Sequence, residues 1–75
     1  MDVNNLITMA NQIGTFFDSM PDRQQAVHDI AEHIRRFWDP RMRRAILDSL
    51  DQHNDEGLSD IVREALSTHR QILAC

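Results

Sequence analysis

Apolar side chains recur along this chain at steps of three and four residues, and no run of them alternates with period two. That spacing is the mark of amphipathic helices, and it leaves no segment that reads as a strand. Glycine, proline and capping residues cut the pattern at residues 19–22, 39–40 and 54–57. The expected fold is all-α, a small bundle of three to four helices in a single domain over residues 1–75. The helices are expected at about 3–19, 21–38, 40–53 and 59–73.

The first stretch places Val3, Leu6, Ile7, Ala10, Ile13 and Phe17 on one face, and Met9, Phe16 and Met20 widen it on one flank. Gly14 falls inside this stripe, where glycine lowers helix stability by about 1 kcal/mol relative to alanine. A close helix crossing would account for it. Ser19-Met20-Pro21-Asp22 supplies capping side chains and a proline suited to a first turn. The second helix turns Val27, Ile30, Ala31, Ile34, Phe37 and Trp38 inward. Asp39-Pro40 is the sharpest boundary: residues before proline avoid the α region, Asp is a preferred N-cap, and Pro suits the first helical position. Met42, Ala45, Ile46, Ser49 and Leu50 form the inner face of the third helix, and Gly57 is expected in left-handed conformation in the turn beyond it. Ser59 is the expected cap of the fourth, whose apolar side holds Ile61, Val62, Ala65, Leu66, Ile72 and Leu73.

A chain this short buries only about 60% of the surface its unfolded form exposes, and such domains lean on disulfides, metals or partners. Cys75 is the one cysteine, so no internal disulfide is expected, and a single thiol fits the reducing cytoplasm. Met1-Asp2-Val3-Asn4-Asn5 lacks the features of a signal peptide, and the longest apolar run, Ile72 to Cys75, falls far short of the roughly 18 residues of a membrane span. His28 and His33 stand five apart and diverge, unlike the i, i+4 ligands of a zincin helix. His69, among Val62, Ala65 and Ile72, reads as a hydrogen-bonded core or interface residue. Ser19 and Ser59 read as caps, and no strand-to-helix nucleophile turn is present. No catalytic or metal site of the chain's own is expected.

Charge is where the sequence departs from an ordinary helical domain. Residues 1–34 carry five acids and one Arg for a net −4, residues 35–44 five Arg and one Asp for +4, and residues 45–75 six acids and two Arg for −4. All eight basic residues are Arg, whose planar fork of donors suits interfacial contacts. The corner Arg35-Arg36-Phe37-Trp38-Asp39-Pro40-Arg41-Met42-Arg43-Arg44 concentrates the side chains that dominate binding energy at protein interfaces. Candidate partner-binding residues are Arg35, Arg36, Phe37, Trp38, Arg41, Arg43 and Arg44, with Met9, Phe16 and Met20 from the wide stripe. The alternative is that Phe37 and Trp38 are ordinary core and the arginines a solvated face paired with the acidic arms. A net charge of −4 with acidic flanks argues against nucleic acid and anionic membranes as partners.

The segment Ile34-Arg35-Arg36-Phe37-Trp38-Asp39-Pro40-Arg41-Met42-Arg43 resembles the central signature of the delta subunit of NAD-dependent molybdenum formate dehydrogenases. The resemblance extends to Met9-Ala10-Asn11-Gln12-Ile13-Gly14 with Phe16-Phe17, to Gly57-Leu58-Ser59, and to Ile61-Val62-Arg63-Glu64-Ala65-Leu66. It implies a non-catalytic accessory subunit of a cytoplasmic complex that oxidises formate and reduces NAD. In such complexes the alpha subunit carries the molybdenum bis-pterin cofactor and iron–sulfur clusters, and the beta and gamma subunits carry FMN and further clusters; the delta subunit holds none. The implied partner is the alpha subunit, with beta and gamma in the same assembly. The alternative role is that of a transient maturation chaperone for the apo alpha subunit.

Overall fold

The computed structural model describes residues 2–74, so the Cys75 thiol lies outside the described residues. It contains α1 (Val3–Phe17), α2 (Arg23–Phe37), α3 (Pro40–Asp51), α4 (Asp60–Thr68) and α5 (Arg70–Ala74), with no strand among the described residues. Five helices stand where three to four were expected, because the fourth predicted helix is broken at one residue. His69 leaves helical geometry at φ −110° and ψ 29° while its N–H still donates to the Ala65 carbonyl. The offset turns α5 toward α3, where the Arg70 guanidinium meets both Asp51 carboxylate oxygens and Leu73 enters the core.

Local chemistry sets the other boundaries. The Asp22 carboxylate accepts the N–H groups of Gln24 and Gln25, so α2 begins at Arg23 and Pro21 stays outside it. Asp39 accepts the Met42 N–H at 2.9 Å with Pro40 opening α3, as the sequence requires. α3 stops earlier than expected. His53 takes the left-handed conformation at φ 58°, its N–H donates to the Leu50 carbonyl, and the Asn54 N–H donates to the Ser49 carbonyl at 2.8 Å. Those two bonds form a Schellman closure built on a histidine. Gly57, at φ 87°, turns the loop a second time before Ser59.

Ile30, Ile34, Ile46, Val62 and Leu66 are the largest fully buried side chains, drawn from α2, α3 and α4. Leu6, Ile7 and Ala10 close this core from α1. Gly14 marks the tightest approach: a Cβ there would stand 2.6 Å from Val62 Cγ2, 3.3 Å from Ile61 Cγ2 and 3.4 Å from Ser59 Oγ. The close crossing anticipated from the sequence is that of α1 with α4. One turn away, Asn11 ties the same seam: its amide donates to the Gly57 carbonyl at 2.7 Å and its carbonyl accepts the Ser59 N–H at 2.9 Å. Ser59 holds the N-cap position without a side-chain capping bond, and its buried hydroxyl has no partner.

Candidate functional site

Four aromatic rings run in series from α1 to α2. Phe16 meets Phe17 edge-on at 5.0 Å, Phe17 lies 6.3 Å from His33, and His33 stands 4.7 Å from Phe37. They wall an apolar groove of about 610 Å³. Met9, Gln12, Ile13, Phe16 and Phe17 form its α1 side, His33 and Phe37 its α2 side, and Trp38 and Met42 its end at the α2–α3 corner. Met9, Gln12, Ile13 and Phe16 share a face because they stand three, four and seven residues apart on a helix. Phe16 is 75% exposed, Phe37 71% and Met9 38%. Contiguous apolar surface of this kind marks interaction sites in soluble proteins.

The structure gathers Met9, Phe16, Phe37 and Trp38, out of the predicted partner-binding residues, around this groove. Trp38 fits the alternative reading of the corner, in which it belongs to the core. It is core, 6% exposed, and still lines the groove. Phe37, expected on the inner stripe, is the exposed member of the pair. Met20 also departs from expectation, because α1 ends at Phe17 and the ridge ends with it. Met20 sits in the following turn, its N–H donating to the Phe17 carbonyl, and packs partly buried against the core. Gln12, Ile13, Phe17, His33 and Met42 line the groove without having been named as partner-binding. Spacing carried the signal for two of them: Gln12 is three residues beyond Met9, and His33 four before Phe37.

Ion pairing divides the arginines sharply. Outside the corner, Arg23 pairs with Glu64 and Asp18, Arg63 with Asp55 and Asp60, and Arg70 with Asp51. Within it, Arg35 pairs with Glu32 at 2.8 Å. Arg36, Arg41, Arg43 and Arg44 have no ion pair among the described residues, and the Nε of Arg43 is buried without an acceptor. The acidic arms therefore pair the arginines outside the corner and leave four of the five within it without an ion pair among the described residues. The Arg35 guanidinium holds the Glu32 carboxyl below its usual range, and that of Arg63 does the same to Asp55.

α1 contributes no charge at all to the groove, since Val3–Phe17 contains no acidic or basic residue. On its outer side the Thr8 and Thr15 hydroxyls donate to the Asn4 and Asn11 carbonyls, at 3.1 and 3.0 Å. The histidines lie elsewhere or serve the groove wall. His28 Nδ1 is 3.3 Å from Asp29 Oδ1, and its ring meets the edge of His69 at 5.6 Å, which makes His69 a half-buried contact between α2 and the α4–α5 break. Among the described residues no group of three or more His, Cys, Asp or Glu is placed to hold a metal ion. None of the described helices is long and apolar enough to cross a membrane.

The sequence profile of the NADH-dependent formate dehydrogenase delta subunit family, FdsD, matches residues 5–66. That span takes in every residue lining the groove, the whole arginine corner and the Asn11–Ser59 seam. Comparison with curated proteins gives no match, and comparison with solved structures gives none either. The family profile covers well over half of the chain, and the chain belongs to the NADH-dependent formate dehydrogenase delta subunit family.

Proposed function

We propose that this chain is a non-catalytic accessory subunit that docks on the molybdenum-containing alpha subunit of a cytoplasmic NAD-dependent formate dehydrogenase and supports its assembly or stability. On this reading the molybdenum bis-pterin, iron–sulfur clusters and FMN belong to the partner subunits, with beta and gamma completing the complex. One observation carries the docking: an apolar groove walled by two largely exposed phenylalanines ends at a corner whose Arg36, Arg41 and Arg43 have no ion pair among the described residues. Exposed aromatics and unpaired guanidiniums in one corner match the composition of interface centres, where Trp, Tyr, Phe, Met and Arg are enriched. Family membership supplies the complex in which the docking takes place.

Purification of the native complex through a tag on the alpha subunit tests this. A permanent subunit is recovered in equal molar amount with active, cofactor-loaded enzyme. Recovery only with apo alpha subunit, and in substoichiometric amount, would replace the accessory subunit with a transient maturation chaperone. The Phe16→Ser, Phe37→Ser double variant tests the surface: its retention should collapse while its helical circular dichroism matches the parent chain.

A further inference from the structure

On the docking reading proposed above, the groove's chemistry also limits what can occupy it. Its walls are helices, whose backbone groups are already bonded within the helices, so no sheet edge is offered to an extended strand. Of the lining residues only Gln12 and His33 carry hydrogen-bonding side chains beyond the Trp38 indole. An extended or irregular segment would bring bare N–H and C=O groups against apolar carbon and leave them unpaired. An occupant that satisfies its own backbone is required, and a helix does so. Along α1 the groove runs from Met9 to Phe16, about 10 Å at the helical rise, which fits about two turns of a second helix.

Charge then selects the sequence of that helix. The α1 lip is neutral throughout, and the charge left over at the other end is positive. Arg36 follows groove residue His33 by three positions on the same helix and so neighbours it on the surface, and Arg41 and Arg43 are the chain neighbours of groove residue Met42 in the first turn of α3. None of these three arginines has an ion pair among the described residues. A second copy of this chain would have to bring a free acidic helix, yet of the six acids on its helices Glu32, Asp51, Asp60 and Glu64 are engaged by its own arginines and Asp29 by Gln25 and His28, which leaves Asp48 alone among the described residues.

We propose that the groove holds an amphipathic helix of the alpha subunit, apolar over about two turns and acidic at the end that meets Arg36 and Arg41. The apolar anchors lie between Phe16 and Phe37, and carboxylates take the guanidiniums that have no ion pair among the described residues.

Placing the photo-crosslinker p-benzoylphenylalanine separately at Phe16 and Phe37 in the purified complex, then mapping the adducts by mass spectrometry, tests the occupant. Both positions should react with one alpha-subunit helix bearing acidic residues within about two turns of the adduct. The Arg36→Glu, Arg41→Glu double variant should bind about tenfold more weakly at low salt, with the deficit shrinking in about 0.5 M NaCl. Adducts on an extended segment, on a helix without acids or on a second copy of this chain would overturn the acidic helix and leave the docking reading standing. Undiminished affinity in the folded arginine variant would overturn it as well. Full retention of the Phe16→Ser, Phe37→Ser chain in the complex would remove the docking reading itself.

Discussion

Gly14→Ala puts the α1–α4 crossing to a quantitative test. The added methyl would stand 2.6 Å from Val62 Cγ2, about 1 Å inside the ordinary separation of carbon atoms. Val62 is 0% exposed, so its methyl has no free volume to retreat into. Overpacking of this kind costs about 1–3 kcal/mol, while replacing a helical glycine by alanine gains about 1 kcal/mol. The net expectation is a destabilisation of about 0–2 kcal/mol, at about 4–8 °C of melting temperature per kcal/mol in a domain of this size. Val62→Ala removes the obstructing methyl, and in that background the propensity gain survives alone. Gly14→Ala should then stabilise by about 1 kcal/mol, for a coupling between the two sites of about 1–3 kcal/mol. Urea unfolding of the four chains of this cycle measures it. Stabilisation by Gly14→Ala in the parent chain, or the same effect in both backgrounds, would refute the tight crossing.

Four further expectations follow from single contacts. His53→Gly relieves a left-handed residue that glycine adopts freely, and should raise stability by about 1 kcal/mol in thermal melts. Trp38→Ala should destabilise by about 3–5 kcal/mol, whereas Phe37→Ser, its neighbour in sequence, should shift unfolding by no more than about 0.5 kcal/mol. Asn11→Ala strands the Ser59 N–H and should cost about 1–2 kcal/mol; Asn11→Asp keeps that bond but sets a carboxylate against the Gly57 carbonyl, and should not restore the parent's stability. Arg63 lowers the Asp55 pKa in the folded chain, so this pair stabilises above the unfolded value of about 4 and its contribution fades as the pH falls through that value to the folded one. The melting-temperature gap between the parent and Asp55→Asn should therefore narrow as the pH falls below the unfolded value of about 4.

The parts of the fold that were legible in the sequence are those decided within a few residues. Asp39-Pro40 opens α3 because capping and a fixed φ are properties of those two side chains. Gly14 announced a close crossing because nothing else explains a glycine within an apolar stripe. The break at His69 was not legible, because His69 itself falls in the stripe and Val62, Ala65, His69 and Ile72 follow one another at threes and fours. The end of α3 was misplaced for a related reason: the left-handed position fell to His53, which carries no such signal, ahead of Gly57, which does. Phe37 and Trp38 could not be told apart by helical angle. Trp38 leaves the helix at φ −94° and ψ 138°, and that extended step carries its indole inward while Phe37 stays on the helical surface. Pairing of Arg23 with Glu64, Arg63 with Asp55 and Arg70 with Asp51 was likewise invisible, since it depends on which acids the tertiary fold brings near, whereas Glu32–Arg35 and Asp60–Arg63 stand three apart on one helix.

The distribution of aromatic rings bears on why a domain of this size keeps such a surface. The chain has three phenylalanines, one tryptophan and no tyrosine, and Phe16 and Phe37 are half of that supply. Burying each would add about 1.5–3 kcal/mol, so leaving both outside withholds about 3–6 kcal/mol, which matches the whole stability a core of fewer than about 80 residues provides. Each ring has an intramolecular neighbour: Phe16 meets Phe17 edge-on and Phe37 lies tilted against His33, so both are partly ordered before anything covers them. A preordered apolar wall lowers the entropy lost on association. The same rings, once covered on the docking reading, return to the folded state the burial that the isolated chain lacks, and binding then stabilises the fold by mass action. Stability of the chain and retention in the complex should rise and fall together for substitutions in the core, and separate at Phe16 and Phe37.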